Sequence, residues 1–130
     1  MIITRFVNST CAKPRQNRAD VWKKRPVVLK YRQFADDCRE AFGESLKDIR
    51  ADRLTVTVTF AVKPSWSKKK QQAMLGKPHR FKPDADNLLK AVMDSLWKDG
   101  DSGIYDVRCT KRWGSADITE ITVEQVEPET

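Results

Sequence analysis

Residues 82–97 read Lys-Pro-Asp-Ala-Asp-Asn-Leu-Leu-Lys-Ala-Val-Met-Asp-Ser-Leu-Trp. After Pro83, apolar side chains recur at helical spacing: Leu88, Leu89, Val92, Met93 and Leu96. The spacing predicts a helix from Asp84 to about Trp97 with one buried face. Asp84 and Asp86 stand one residue apart at its start. Either one can simply cap the helix. A second aspartate followed by Asn87 is harder to explain that way, and short, stiff carboxylates are also what Mg²⁺ takes as ligands. The stretch from 84 to 106 holds six aspartates (84, 86, 94, 99, 101 and 106) and no glutamate. Asp99 and Asp101 fall in a predicted loop, Lys98–Gly103, where they can join the helix-start pair.

Lys90 follows Asp86 by four residues and shares its helix face; Asp94 follows by four more. One reading is an exposed ion-pair ladder, worth a few tenths of a kcal/mol per pair. The other sets Lys90 beside a scissile phosphate, to stabilise developing charge or orient the attacking water, with Asp94 structural.

Working outward, residues 53–62 (Arg-Leu-Thr-Val-Thr-Val-Thr-Phe-Ala-Val) alternate as a strand does. Leu54, Val56, Val58, Phe60 and Val62 share one face and the threonines the other. Residues 2–7 predict a short strand, and Val27–Phe42 a helix stopped by Gly43. Residues 64–76 predict a short basic helix capped by Ser65 or Ser67 and ended by Gly76. Ile104–Trp113 and Ile118–Val126 predict two strands joined near Gly114 as a hairpin. Residues 8–26 read as a basic loop and 127–130 as a frayed tail. Strand, helix, strand, helix, helix, strand, strand implies one α/β (α+β-like) domain, a mixed sheet covered by helices.

The chain has 130 residues and a formal charge of +7. That balance favours a polyanionic partner, nucleic acid or an anionic surface. Carboxylates gathered at one spot on a basic surface suggest a metal site facing a polyanion, as in a metal-dependent nuclease. Trp66 with Lys68, Lys69 and Lys70 combines an aromatic with cations. The tryptophan can stack on an unpaired base, or it can dock on the core beside a solvated lysine face. His79, alone in a Pro- and Lys-rich turn, reads as a surface residue. The three cysteines are widely separated, which argues against a disulfide framework or structural zinc; Cys38 and Cys109 fall in apolar patterns and read as core. Met1–Arg5 lacks the basic start and apolar stretch of a signal peptide, and no apolar run approaches a membrane span. The expectation is a cytoplasmic protein with reduced cysteines, in a bacterial cell or phage-infected host, and with no membrane partner.

The run Lys82–Lys90, then Asp94-Ser95-Leu96, an acidic loop and a strand containing Lys111, resembles the RusA family of Holliday junction resolvases, often carried by phages and prophages. Pro64–Lys70, Gly76–His79 and the Lys13-Pro14-Arg15 loop are similar to phage-type members. The resemblance covers nearly the whole chain, residues 1–130. It implies a small homodimeric endodeoxyribonuclease that binds four-way DNA junctions in recombination and repair. It also implies that Mg²⁺, with Mn²⁺ as substitute, supports symmetric nicks in two opposed strands. On this resemblance Asp84, Asp86 and Asp101 hold the metal, Lys90 is catalytic, and Asp99 is the alternative to Asp101. Lys13, Arg15, Arg18, Lys68, Lys69, Lys70 and Lys111 are the DNA contacts. The rival readings are a broader branched-DNA or flap nuclease with the same site, and a junction-binding protein in which the carboxylates only cap and pair.

Overall fold

The structure is a computed structural model that describes residues 1–14, 26–98, 100 and 103–126. Four strands form one sheet: β1 (Ile2–Val7), β2 (Arg53–Ala61), β3 (Asp106–Gly114) and β4 (Ile118–Glu124), in the order β1-β4-β2-β3. The helices are α1 (Pro26–Phe42), α2 (Lys68–Met74) and α3 (Ala85–Leu96), with a 3₁₀ turn at Ser45–Asp48. The predicted element order is the observed one, and the mixed sheet with its helices is an α+β domain.

β2 shows why the alternating pattern matters. Leu54, Val56 and Val58 are buried, and Thr55, Thr57 and Thr59 lie half-buried on the opposite face. The inward residues meet Ile121 and Val123 of β4, Val7 of β1, Phe34, Cys38 and Phe42 of α1, and Leu88, Ala91 and Val92 of α3. α1 and α3 pack together, α1 against β1 and α3 against β3. Gly43 ends α1 with φ of +54°, a conformation that suits a residue without Cβ.

The expected hairpin between the last two strands does not form. β4 pairs antiparallel with both β1 and β2, and β3 pairs parallel with the other edge of β2. The short connection Ser115–Asp117 therefore steps over the end of β2. Neighbouring strands are about 4.8 Å apart, so the step is roughly 10 Å, within reach of the four extended links from Gly114 to Ile118. Two details fit that step. A Cβ on Gly114 would lie 2.3 Å from Thr59 Cγ2, so glycine lets the chain turn close to β2. The Asp117 carboxylate accepts the Ala61 N–H at 2.8 Å, taking over where the ladder with β4 ends.

The free edge of β3 is covered by the connector after α2. Gly76 N–H donates to Trp113 O at 2.9 Å, Trp113 N–H to Lys77 O at 3.0 Å, and His79 N–H to Lys111 O at 3.1 Å. This short antiparallel pairing leads the chain directly to Pro83 and α3.

Leu88 is 1% exposed and faces the core one turn below Asp84. Leu88→Ala should lower unfolding free energy by about 3 kcal/mol, read as a lower urea midpoint with an unchanged slope.

Candidate metal centre at the start of α3

Asp84 is the N-cap residue of α3, with φ −70° and ψ 148°. Its backbone carbonyl starts the helix by accepting the N–H groups of Asn87 at 3.1 Å and Leu88 at 3.2 Å. Its side chain makes no capping hydrogen bond. The carboxylate is exposed, and so is that of Asp86 in the first turn. Neither is held by an ion pair or side-chain hydrogen bond among the described residues. Among the described residues both oxygen pairs thus stand free at the positive end of a 12-residue helix.

The structure sorts the other aspartates. Asp94 pairs with Lys13. Asp106 pairs with Arg53 at 2.8 Å. Asp99 and Asp101 lie outside the described residues, so the third carboxylate of the expected set is not placed. Among the described residues no cluster of three or more His, Cys, Asp or Glu is poised for a metal. The pair that remains still suits Mg²⁺, which is commonly held by one or two carboxylates plus water and substrate phosphate.

The ion-pair ladder, one of the two readings of α3, does not form among the described residues. Asp94 turns to Lys13, and exposed Lys90 has no ion-pair partner among the described residues. Lys13 also donates its backbone N–H to Asn87 O at 3.3 Å, so it is tied to α3 twice. The Asp94 hydrogen bond pushes the Lys13 ammonium pKa up. Lys13 is thereby an anchor of the basic loop against the site helix. Arg15 and Arg18 lie outside the described residues.

Lys68, Lys69 and Lys70 are exposed on α2, which Ser67 caps by accepting Lys70 N–H at 3.2 Å. Of the two proposed caps, Ser67 is the one used. Trp66 is half-buried, with its ring edge-on to Trp113 at 4.9 Å and the Lys70 ammonium 4.5 Å from its ring centre. The docked reading of Trp66 is the observed one.

One residue behaves differently from expectation, and a second has structural partners. His79 is 7% exposed rather than a surface residue. Its ring stacks on Phe60 at 4.1 Å and lies 4.4 Å from Trp113, with Phe81 edge-on at 5.9 Å. The sequence signal was there: His79 and Phe81 are two apart in a segment that pairs with a strand, so both point to the same side. Lys111, expected on DNA, is only half-exposed; its ammonium donates to Phe81 O at 2.5 Å and Pro83 O at 2.7 Å. Burial lowers the His79 pKa, and the Lys111 and Lys63 charges lower it further. Burial pushes the Cys38 thiol up to about 12 and the Cys109 thiol up to about 11, so both stay protonated and act as small apolar side chains.

Residues 9–124 match the family model for endodeoxyribonuclease RusA. No curated protein sequence matches the chain. No helix among the described residues is long and apolar enough to cross a membrane.

The His79 environment makes stability depend on pH. The folded protein binds this proton more weakly than the unfolded chain, whose imidazole titrates near 6.5. The His79 contribution is full above that pH and falls as the pH drops through it toward the folded value. The wild type should lose more thermal stability than His79→Phe between pH 7.5 and 5.5, measured as Tm at each pH.

Proposed function

This chain belongs to the RusA family of endodeoxyribonucleases, and we propose from that premise that it resolves four-way DNA junctions by paired, Mg²⁺-dependent nicks. The observation that carries the reading is the freedom of Asp84 and Asp86. In a protein of charge +7, where Asp94 and Asp106 are neutralised by cations, these two exposed carboxylates have no partner among the described residues. As structural caps they would be hydrogen-bonded; as ligands they would be left open.

Asp84 and Asp86 would hold Mg²⁺, with Asp101 or Asp99 as the third carboxylate, and the ion would supply an activated water and neutralise phosphate charge. Asp84 anchors its ligand position through the helix-starting hydrogen bonds of its own carbonyl. Lys90, one turn below Asp86 and without an ion-pair partner among the described residues, offers its ammonium to the phosphate as charge develops. The positive end of α3 adds to that field. Lys68, Lys69 and Lys70 line one exposed helix and suit phosphate contacts along a junction arm, and Arg15 and Arg18, which follow Lys13 in the sequence, are further candidates for such contacts. A homodimer with two-fold symmetry would present two such sites to opposed strands, as symmetric nicking requires. The setting is recombination and repair of branched DNA in a bacterial or phage-infected cytoplasm, consistent with the phage-type sequence resemblance.

The test is a synthetic four-way junction with Mg²⁺ beside flap and linear duplex substrates. Paired symmetric nicks confined to the junction are expected. Cutting of flaps at equal rates would replace the resolvase with a broader nuclease. Asp86→Asn should lower the cleavage rate by about a thousandfold, the several kcal/mol that a metal-held site contributes. It should keep or strengthen junction binding, because a charge that repels phosphate is gone. Parallel loss of binding and cutting would refute the catalytic role.

A further inference from the structure

Lys111 occupies an unusual place for a cation. It lies on β3 in register with Val58, and shares its face with Cys109 and Trp113. That is the side on which α3 packs. An ammonium on a half-buried sheet face must find acceptors or lose hydration without compensation. Its acceptors are two main-chain carbonyls, Phe81 O at 2.5 Å and Pro83 O at 2.7 Å. The backbone of the same residue accepts His79 N–H at 3.1 Å. One residue therefore grips the connector at positions 79, 81 and 83.

We infer that Lys111 is a positioning residue that fixes the peptide preceding Asp84 and so aims the Asp84 carboxylate; the inference rests on the metal-site reading proposed above. The Pro83 carbonyl belongs to the peptide plane shared with Asp84. Holding its oxygen restricts rotation about the bonds on either side of that plane. Asp84 has no side-chain capping bond to hold it in place. Its orientation consequently depends on its own backbone, which is bonded on one side to α3 through Asn87 and Leu88 and on the other to Lys111 through Pro83. An ammonium has three N–H donors, and two of them are engaged here. Lys111 is accordingly poorly placed to act mainly as a phosphate grip, unlike exposed Lys68, Lys69 and Lys70.

The test compares wild type, Lys111→Met and Lys111→Arg, without DNA and first without metal. Hydrogen exchange across residues 79–88 should speed up about tenfold in Lys111→Met and return to within about threefold of wild type in Lys111→Arg. Exchange unchanged in Lys111→Met overturns the inference. So does an arginine variant no better than the methionine one. Calorimetric titration of Mn²⁺ should then show about tenfold weaker binding to Lys111→Met, as for other groups that orient metal ligands. Junction affinity without metal should stay within about twofold of wild type. A larger loss of junction affinity with Mn²⁺ binding intact would make Lys111 a DNA contact instead. Should Lys111→Met lose its cooperative thermal transition, Lys111→Gln, shorter by one atom and uncharged, takes its place under the same criteria. The exchange measurement needs neither metal nor substrate. A wild type that neither binds Mn²⁺ nor cuts, yet shows the exchange difference, would sink the resolvase reading and leave the clamp standing.

Discussion

β2 is hydrogen-bonded along both edges, to β4 antiparallel and to β3 parallel, and the rest of the molecule follows from that. A parallel pair cannot be joined by a tight turn; it needs a long crossover. Here the crossover is everything between Ala61 and Asp106: α2, the connector that covers the β3 edge, and α3. The exposed lysines, Trp66, His79 and Phe81 of the aromatic pocket, and the free aspartates all belong to this one excursion. β4 faces the opposite demand. It has to reach the far edge of β2 from the end of β3, so its connection is a short step over the strand end, sealed by Asp117 and permitted by Gly114.

Charge is distributed according to the same division. Several carboxylates that tie the fold together carry a cation: Lys13 on Asp94, Arg53 on Asp106, Arg50 on Asp52 at 2.8 Å. At the start of α3 the pattern breaks. Two exposed carboxylates one residue apart stand at the positive end of the helix without an ion-pair partner among the described residues. Natural sequences that depart from local consistency tend to do so at functional sites. Asp84 and Asp86 are such a departure, and they lie within residues 9–124, which match the RusA family model.

The sequence announced the elements better than their arrangement. β2 and α3 were legible because a two-residue and a 3.6-residue period are properties of the residues themselves. The pairing of β3 and β4 was not, since a short Gly-containing connection reads alike whether it folds back on its neighbour or steps over it. The difference lies in what occupies the space beside β3, and β2 is far away in sequence. Asp84 and Asp86 were legible as a possible site from their spacing, but the distinction between cap and open ligand is a matter of hydrogen bonds that only the fold supplies. His79 was misread because a turn-rich composition hid a two-residue alternation. Lys111 was assigned to DNA from the family resemblance; that its ammonium meets two backbone carbonyls is a fact only the fold supplies.

His79 and Lys111 take part in one structural solution. The aromatic pocket of Phe60, Trp66, His79, Phe81 and Trp113 sits at the C-terminal end of β2 and β3, directly before the site helix. It gives the connector a rigid seat. Rings alone do not fix the direction of a peptide plane, however, because stacking is tolerant of rotation and slide. Directional hydrogen bonds do. The ammonium of Lys111 supplies them to Phe81 and Pro83 while its charge helps keep the His79 imidazole neutral. A protonated His79 would set a second cation close to Lys111 inside the pocket, so holding the imidazole neutral also protects the clamp. Packing places the connector, and one half-buried cation orients its end. The two aspartates can therefore remain free of structural bonds and still be held in place.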